Sequence, residues 1–377
     1  MTAYDPFVRG RFPVGVRTIR ALDGARNRDF PCEIWYPAAT QHQDQDFDPR
    51  TQDRFTPKPN GAEQKQMAVR DAAGRHGVFP LVIFSHHSGG HRRTSTFLCT
   101  HLSSHGYVVA ALDHSETIAP ELARRNDESE EQKRARWQSV IESRVPDVRF
   151  LLDYLLYSNR RDSQVELDQS RIGIVGHSFG AWTALATPET DSRIGAVVAL
   201  APGGTSNPRP GILPVKLTFQ WCHEVPALYL VAENDVPLPL AGMYELFERA
   251  PLPKQMVILR RADHLHFIDN VEQEHEAFRT VPMPAEVAQM QKEMRPITEL
   301  CSGEQAHLWV RGLTLAHMDA ILGHRHEANL FLAGDVQGEM AKRGVDVILH
   351  QAHPPVNAAK IAFPLVDRRE SVWTLLY

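Results

Sequence analysis

Short continuous runs of apolar residues recur along the middle of the chain, each separated from the next by a longer polar stretch. Runs of this length without polar alternation are typical of strands that are buried on both faces of a sheet. In one intervening stretch, Val148, Leu151, Leu152 and Leu155 recur at the spacing of an amphipathic helix. Strands that alternate with helices predict an α/β fold with a mostly parallel central sheet and helices on both faces. The runs occupy residues 79–84, 107–112, 171–175, 196–200, 227–231 and 256–259.

The N-terminal segments are expected to extend this sheet or to lie on its surface. Two shorter strand-like runs, residues 16–19 and 32–36, precede the central runs. Residues 38–77 are polar and rich in Gln, Asp, Pro and Gly, and they predict a long surface loop with room for one short helix. Without internal repeats, residues 1–377 are interpreted as a single domain.

Two further segments are expected to be helical. Residues 115–143 form an insertion of mixed charge between a strand and the helix that precedes the third central run. Two interpretations are open for it: a lid or pocket wall, in which Trp137 faces the ligand, and a solvated helical excursion. Residues 282–377 predict a C-terminal helical extension, in which a helix over residues 304–322 packs its apolar face on the sheet.

Composition restricts the classes of partner. The 377 residues are 42% hydrophobic and 23% charged, which is ordinary for a globular protein with a large core. The net charge of −5 leaves no basic excess to neutralise phosphates, so no nucleic-acid partner is expected. No apolar run approaches the length that spans a bilayer, so no stable membrane insertion is expected. Nothing in the composition indicates an oligomeric state.

The cysteines and the N-terminus bear on the compartment. Cys32, Cys99, Cys222 and Cys301 lie far apart and form no CxxC pair, so neither a zinc site nor a disulfide framework is indicated. Reduced thiols favour the cytoplasm. The first residues lack the basic start and apolar core of a signal peptide, although a chain whose signal had been removed would look the same.

The candidate nucleophile is Ser178, in the sequence Gly-His-Ser-Phe-Gly at residues 176–180. This motif directly follows the apolar run at residues 171–175, and the small residues 181–186 then open a helix. Gly-x-Ser-x-Gly in this context predicts a strained strand-to-helix turn that exposes the serine oxygen at the end of a sheet. The alternative, an ordinary glycine-rich turn, does not require these flanking elements.

A serine hydroxyl needs a base, and in this kind of fold the chain order is serine, acid, histidine. Glu233 and Asp235 follow one central strand, and His264 and His266 follow the next. We predict Asp235 as the acid because it lies further into the turn. Glu233 lies closer to the strand and is placed to anchor the turn instead. We predict His264 as the base because it is the first histidine after its strand, with His266 as the alternative.

An oxyanion hole requires two backbone N–H groups. One is predicted from Phe179, the residue after the nucleophile, and the other from the loop that follows residues 79–84. Ser88 is the predicted second donor and His87 is the alternative.

The same loop carries several histidines, which raises the question of a metal. His86, His87 and His91 lie beside Gly89 and Gly90, which make a helical ligand pair unfavourable, and no acidic residue lies nearby. We therefore predict structural hydrogen bonds for these rings. Neither a metal nor another cofactor is expected.

At these residues the chain resembles bacterial dienelactone-hydrolase-like and platelet-activating-factor-acetylhydrolase-like serine esterases of the α/β-hydrolase superfamily. Residues 84–90, 105–114 and 144–153 carry the resemblance, which extends over about residues 79–268. It implies the α/β-hydrolase fold and hydrolysis of carboxylic esters without a metal or organic cofactor.

The chain departs from these families in three places. Their usual Ser-His-Gly is replaced by Ser-His-His at residues 85–87. Dienelactone hydrolases use a cysteine where this chain has Ser178, so dienelactone is not the implied substrate. Acetylhydrolase-like relatives carry the acid one strand earlier, where residues 200–204 here contain no carboxylate.

Taken together, the motifs predict two-step acyl transfer on a small-molecule ester, with an acyl-enzyme formed on Ser178. Two alternatives remain open. The first is an amidase or peptidase that uses the same three residues, and the second is a non-catalytic binding module with the same fold.

Overall fold

An eleven-stranded sheet forms the centre of the computed structural model, which describes residues 4–57, 61–125, 127–158, 164–283 and 285–350. Each predicted central run lies within a strand or extends at most one residue beyond it. The strands are β1 (Val14–Asp23), β2 (Arg28–Pro37), β3 (Gln52–Phe55), β4 (Gln64–Arg70), β5 (Gly77–Ser85), β6 (Val108–Leu112), β7 (Val165–His177), β8 (Ile194–Leu200), β9 (Ala227–Ala232), β10 (Lys254–Leu259) and β11 (Val347–His350).

The strands follow the order β11-β10-β9-β8-β7-β5-β6-β2-β1-β4-β3 across the sheet. All neighbouring pairs from β6 to β10 are parallel. At the two sides, β2 pairs antiparallel with β6 and with β1, β3 with β4, and β11 with β10. The prediction of a mostly parallel sheet is therefore confirmed. Parallel neighbours place the carboxyl ends of β5, β7, β8, β9 and β10 at one edge, where ligand sites of such sheets lie.

Helices cover both faces of the sheet, as predicted. Side chains alternate between the faces along a strand, so Ile83 of β5 packs into one core and Val82 and Phe84 pack into the other. The helices are α1 (Thr96–Ser104), α2 (Ser115–Ile118), α3 (Glu130–Ser158), α4 (Phe179–Ala186), α5 (Leu240–Arg249), α6 (Val271–Thr280), α7 (Ala285–Glu293), α8 (Gly303–Ile321), α9 (His326–Ala333) and α10 (Val336–Ala341). Helices α3, α4 and α5 contribute to the first core, and α1 and α8 contribute to the second.

The interpretation of residues 38–77 as a long surface loop is wrong in part. A short 3₁₀ turn lies at Thr40–His42, but β3 and β4 extend the sheet beyond β1. Each strand buries one hydrogen-bonded polar side chain beside one apolar side chain: Asp53 beside Phe55 in β3, and Gln66 beside Ala68 in β4. The Gln66 amide donates to Asp53 at 2.6 Å and accepts from the Trp35 indole, also at 2.6 Å. A search for apolar runs does not detect strands of this kind.

Residues 115–143 are helical, but they do not form a separate insertion. They comprise α2, a 3₁₀ turn at Pro120–Leu122 and the first half of α3. Helix α3 is one continuous helix of 29 residues, so the charged stretch and the predicted amphipathic helix belong to the same element.

The C-terminal extension is helical up to β11, and residues 351–377 lie outside the described residues. The helix predicted over residues 304–322 corresponds to α8, and it packs on the sheet with Trp309 and Leu313 buried. Its N-terminus carries a capping box, in which the Ser302 hydroxyl accepts from the Gln305 backbone N–H at 3.2 Å. None of the described helices combines the length and apolar composition needed to cross a bilayer.

Candidate active site

Ser178 occupies a strained turn between β7 and α4, with φ 59° and ψ −116°. This is a region that residues with a side chain rarely adopt. The two glycines of the motif permit the turn because neither position has space for a Cβ atom. At Gly176 a Cβ would lie 2.0 Å from the Gly180 carbonyl oxygen, and at Gly180 it would lie 2.0 Å from the Ser85 carbonyl oxygen. The motif therefore has the backbone geometry that the sequence predicted.

The structure brings Ser178, His264 and Asp235 together at the carboxyl ends of three strands. The His264 Nε2 atom lies 2.8 Å from the Ser178 hydroxyl, and His264 Nδ1 lies 2.7 Å from Asp235 Oδ2. The second carboxylate oxygen of Asp235 accepts from the Leu238 backbone N–H at 2.7 Å, which fixes the orientation of the carboxylate. Because a carboxylate only accepts, Nδ1 carries the proton, and the lone pair of Nε2 faces the serine.

The neighbouring carboxylates also change the pKa of His264. Burial lowers its pKa, but the charge and the hydrogen bond of Asp235 raise it by more, so the pKa of His264 lies above its ordinary value of 6.5. A second buried carboxyl, Asp263, lies nearby. Burial and the neighbouring charge of Asp235 raise the pKa of Asp263 to about 7.

The alternative residues bond elsewhere. His266 accepts from the Asp263 backbone N–H at 3.0 Å and pairs with the Cys301 carbonyl at 3.1 Å, and burial lowers its pKa to about 4. Glu233 accepts from the Arg261 backbone N–H at 2.9 Å and lies 3.4 Å from the Arg260 guanidinium. His266 therefore holds the backbone of its own turn, whereas Glu233 holds the turn after β10, which leads to His264.

A cavity of about 110 Å³ opens beside Ser178, and Ser88, Phe179 and His264 are among its lining residues. His87, the alternative to Ser88, lines a neighbouring groove of about 220 Å³ and lies with its ring 5.2 Å from that of His177. The other residues that line the Ser178 cavity are Gly203, Gly211, Ile212, Leu213, Val215, Pro237 and Leu238. Ser88 and Phe179 therefore line the same cavity as Ser178, and their roles as oxyanion donors stay predictions.

The apolar wall of this cavity comes from a segment that sequence analysis did not single out. Residues 201–226, between β8 and β9, contain no regular helix or strand, so periodicity gives no signal for them. None of the lining residues comes from the described part of residues 115–143, so that segment does not contribute to the wall of this cavity, and its role as a lid stays a prediction. Trp137 instead lies beside its helical neighbour Lys133, whose ammonium is 5.2 Å from the indole ring.

The loop histidines are engaged with the backbone. The two ring nitrogens of His86 lie 2.7 Å from the His87 carbonyl oxygen and 3.2 Å from the His114 backbone N–H. Among the described residues, no three His, Cys, Asp or Glu side chains are grouped so that they could hold a metal ion.

Comparison with solved structures supports the assignment of fold. A ferulic acid esterase from Streptomyces cinnamoneus superposes with a TM-score of 0.61, at 22% sequence identity. The superposition covers 90% of this chain and 97% of the esterase. The chain therefore has the α/β-hydrolase fold, as predicted.

Comparison of sequences shows which esterases the chain is similar to. The family model described as platelet-activating factor acetylhydrolase, isoform II, matches residues 61–149. The acetylhydrolase of Cavia porcellus is 27% identical over 222 residues, which cover 51% of this chain and 48% of the relative. The acetylhydrolase of Bos taurus is 27% identical over 161 residues, which cover 32% of this chain and 34% of the relative. The chain thus spans about half or less of the length of these curated relatives. The predicted resemblance to acetylhydrolase-like serine esterases is confirmed.

The close approach at Gly180 predicts a large effect on stability. Gly180→Ala would press a methyl group against the backbone of Ser85 and His86, and we expect a loss of unfolding free energy of about 3 kcal/mol. Gly195→Ala is the matched control, because a Cβ at this position of β8 meets nothing closer than 3.4 Å. Urea unfolding of both variants measures the effect. An unchanged midpoint for Gly180→Ala would contradict the described packing of the turn.

Proposed function

We propose that this protein is a serine hydrolase that cleaves small carboxylic esters through an acyl-enzyme on Ser178. The observation that carries the proposal is the chain of hydrogen bonds from Ser178 through His264 to Asp235, beside an apolar cavity. The similarity to acetylhydrolases and to a ferulic acid esterase supports the same class of reaction.

In the first step, His264 Nε2 takes the proton of the Ser178 hydroxyl as the oxygen attacks the ester carbonyl. The Asp235 carboxylate stabilises the resulting imidazolium and holds its tautomer. The backbone N–H groups of Phe179 and Ser88 stabilise the negative charge on the carbonyl oxygen. The imidazolium then protonates the departing alcohol, and an acyl group remains on Ser178.

In the second step, water attacks the acyl-enzyme. His264 takes a proton from the water and returns it to the Ser178 oxygen as the acid leaves. This step requires a neutral imidazole at its start. Asp235 raises the pKa of His264 above 6.5. The fraction of enzyme with a neutral His264, and with it the activity, therefore increases as the pH rises through that pKa.

The cavity suggests the size and polarity of the acyl group. Its volume of about 110 Å³ is smaller than the ~150 Å³ that holds benzene in an engineered lysozyme, which favours an acyl group of fewer than about six non-hydrogen atoms. No Asp, Glu, Lys or Arg is among its lining residues, which favours a neutral group. The acetyl group, which the name of the acetylhydrolase relatives contains, satisfies both conditions.

A panel of p-nitrophenyl esters from acetyl to octanoyl, together with acetyl p-nitroanilide, tests the reaction and the cavity. We expect the short esters to have the highest kcat/KM and the anilide to be a poor substrate. Leu213→Ala enlarges the cavity and should raise the octanoyl-to-acetyl ratio of kcat/KM about tenfold.

Leu217→Ala is the matched control for Leu213→Ala, because Leu217 belongs to the same segment but does not line the cavity. Equal shifts in both variants would contradict the assignment of the acyl pocket. Faster turnover of the anilide than of the acetyl ester would favour the amidase alternative. If no compound is turned over, the binding-module alternative is favoured.

The acid is tested by comparing two conservative variants. Asp235→Asn should lower kcat by on the order of 10⁴, because the amide no longer holds the required tautomer of His264. Glu233→Gln should stay within about tenfold of the wild type, because the amide oxygen of the glutamine can still accept from the Arg261 backbone N–H.

The pH profile of kcat/KM provides a second readout of the same pair. Loss of the Asp235 charge removes the contribution that raises the pKa of His264, so the acid limb of the residual Asp235→Asn activity should move to lower pH. The limb of Glu233→Gln should stay in place. If the two variants exchange their effects on kcat, Asp235 is not the acid.

A further inference from the structure

A buried arginine lies directly behind the loop that carries the proposed second oxyanion donor. The side chain of Arg144, on α3, is 0% exposed. Its Nη1 atom donates to the His86 carbonyl at 2.7 Å, and its Nη2 atom donates to the His87 carbonyl at 3.3 Å. The carboxylate of Glu116 forms an ion pair with the same guanidinium.

The guanidinium also contacts the first oxyanion donor. Its central carbon lies 4.2 Å from the centre of the Phe179 ring. Such a cation–aromatic contact is favourable where both groups are desolvated. Arg144 is therefore the one side chain described here as bonded to the loop of residues 86–88 and also stacked on the residue after Ser178.

The bonds to the two carbonyls determine where the neighbouring N–H groups point. A trans peptide is planar, and its C=O and N–H groups point in opposite directions. The His86 carbonyl shares a peptide group with the His87 N–H, and the His87 carbonyl shares one with the Ser88 N–H. Because both carbonyls face Arg144, both N–H groups are directed away from it.

The peptide between His87 and Ser88 is held most firmly. Besides Arg144, its carbonyl accepts from the Gly90 backbone N–H at 3.0 Å and lies 2.7 Å from His86 Nδ1. If this peptide rotated by half a turn, its carbonyl would replace the N–H and would repel a developing oxyanion.

We propose that Arg144 is a positioning residue that keeps the oxyanion hole formed in the absence of substrate. The inference rests on the proposed function. A contribution to folding stability does not by itself explain a buried arginine at this position. A buried ion pair seldom stabilises the fold more than apolar residues of similar volume would.

Asp147, one turn further along α3, supports the strand end that precedes the loop. Its carboxylate lies 3.2 Å from His114 Nδ1, and His114 Nε2 lies 2.8 Å from the Ser85 hydroxyl. All three side chains are buried, so this second serine–histidine–aspartate arrangement is closed to substrate. The buried face of α3 thus holds both the end of β5 and the loop that follows it.

Two variants of Arg144 distinguish an effect on the geometry of the oxyanion hole from an effect on folding. Arg144→Met removes all the donors, whereas Arg144→Lys keeps the charge beside Glu116 and loses the planar fork that reaches both carbonyls. For the hydrolysis of p-nitrophenyl acetate, we expect kcat to fall by about 10²–10³ in Arg144→Met and by a smaller factor in Arg144→Lys, with KM within a few-fold of wild type. Arg149→Met, on the exposed side of the same helix, is the control and should leave both constants unchanged.

Binding of a trifluoromethyl ketone gives a readout that a purely structural role would not change. The ketone forms a hemiketal with Ser178 whose oxyanion requires the hole, so its affinity should fall by the same factor as kcat. Far-UV circular dichroism identifies any variant that does not fold, and the folded Arg144→Lys then carries the test.

The outcomes distinguish this inference from the proposed function. Wild-type kcat and ketone affinity in folded Arg144→Lys would overturn the positioning role and leave the proposed function intact. A rise in KM by the factor expected for kcat, with kcat itself unchanged, would also overturn the positioning role. Absence of ester turnover by the wild-type protein would overturn both.

Discussion

The tight turn at Ser178 packs against the backbone of two neighbouring strands, and this contact fixes the serine relative to the ends of β5 and β8. Gly180 is pressed against the Ser85 carbonyl at the end of β5. The Ser178 backbone N–H donates to the Leu200 carbonyl at 2.8 Å, and the Ser178 carbonyl accepts from Gly203 at 3.2 Å. The loop that begins at His86 and the start of the cavity wall at Gly203 are therefore tied to the serine through the backbone.

Electrostatics then distinguishes one histidine among several buried ones. Burial lowers the pKa of His86, His114 and His177, which keeps those rings neutral and suited to structural hydrogen bonds. At His264 the same burial is outweighed by the Asp235 carboxylate. The raised pKa of the proposed base thus arises from its hydrogen-bonded carboxylate Asp235, with a further contribution from the charge of Asp263.

The sequence was informative where local pattern and chain order carry the structure. Continuous apolar runs predicted the parallel strands, and the Gly-x-Ser-x-Gly motif after such a run predicted the strained turn, although the contact that excludes a side chain at Gly180 comes from Ser85 on another strand. The order serine, acid, histidine pointed to Asp235 and His264, which the structure places within hydrogen-bonding distance of their partners.

Features that depend on distant neighbours were missed. The edge strands β3 and β4 bury polar side chains whose partners lie on other strands. The cavity wall at residues 203–215 is irregular, so it has no period to detect. Arg144 directly follows the charged residues 115–143, for which a solvated helix was one of two interpretations, and only the packing of α3 behind residues 86–88 shows that this arginine is buried.

The central claim is that Ser178 is the nucleophile, and its covalent capture is the most direct test. Diethyl p-nitrophenyl phosphate should transfer one diethylphosphoryl group to the serine oxygen, with release of p-nitrophenolate and loss of the serine proton. Intact-mass and peptide mass spectrometry should find one adduct, on the peptide that contains Ser178, and none in Ser178→Ala. An adduct on another residue, or undiminished ester turnover by Ser178→Ala, would contradict the account.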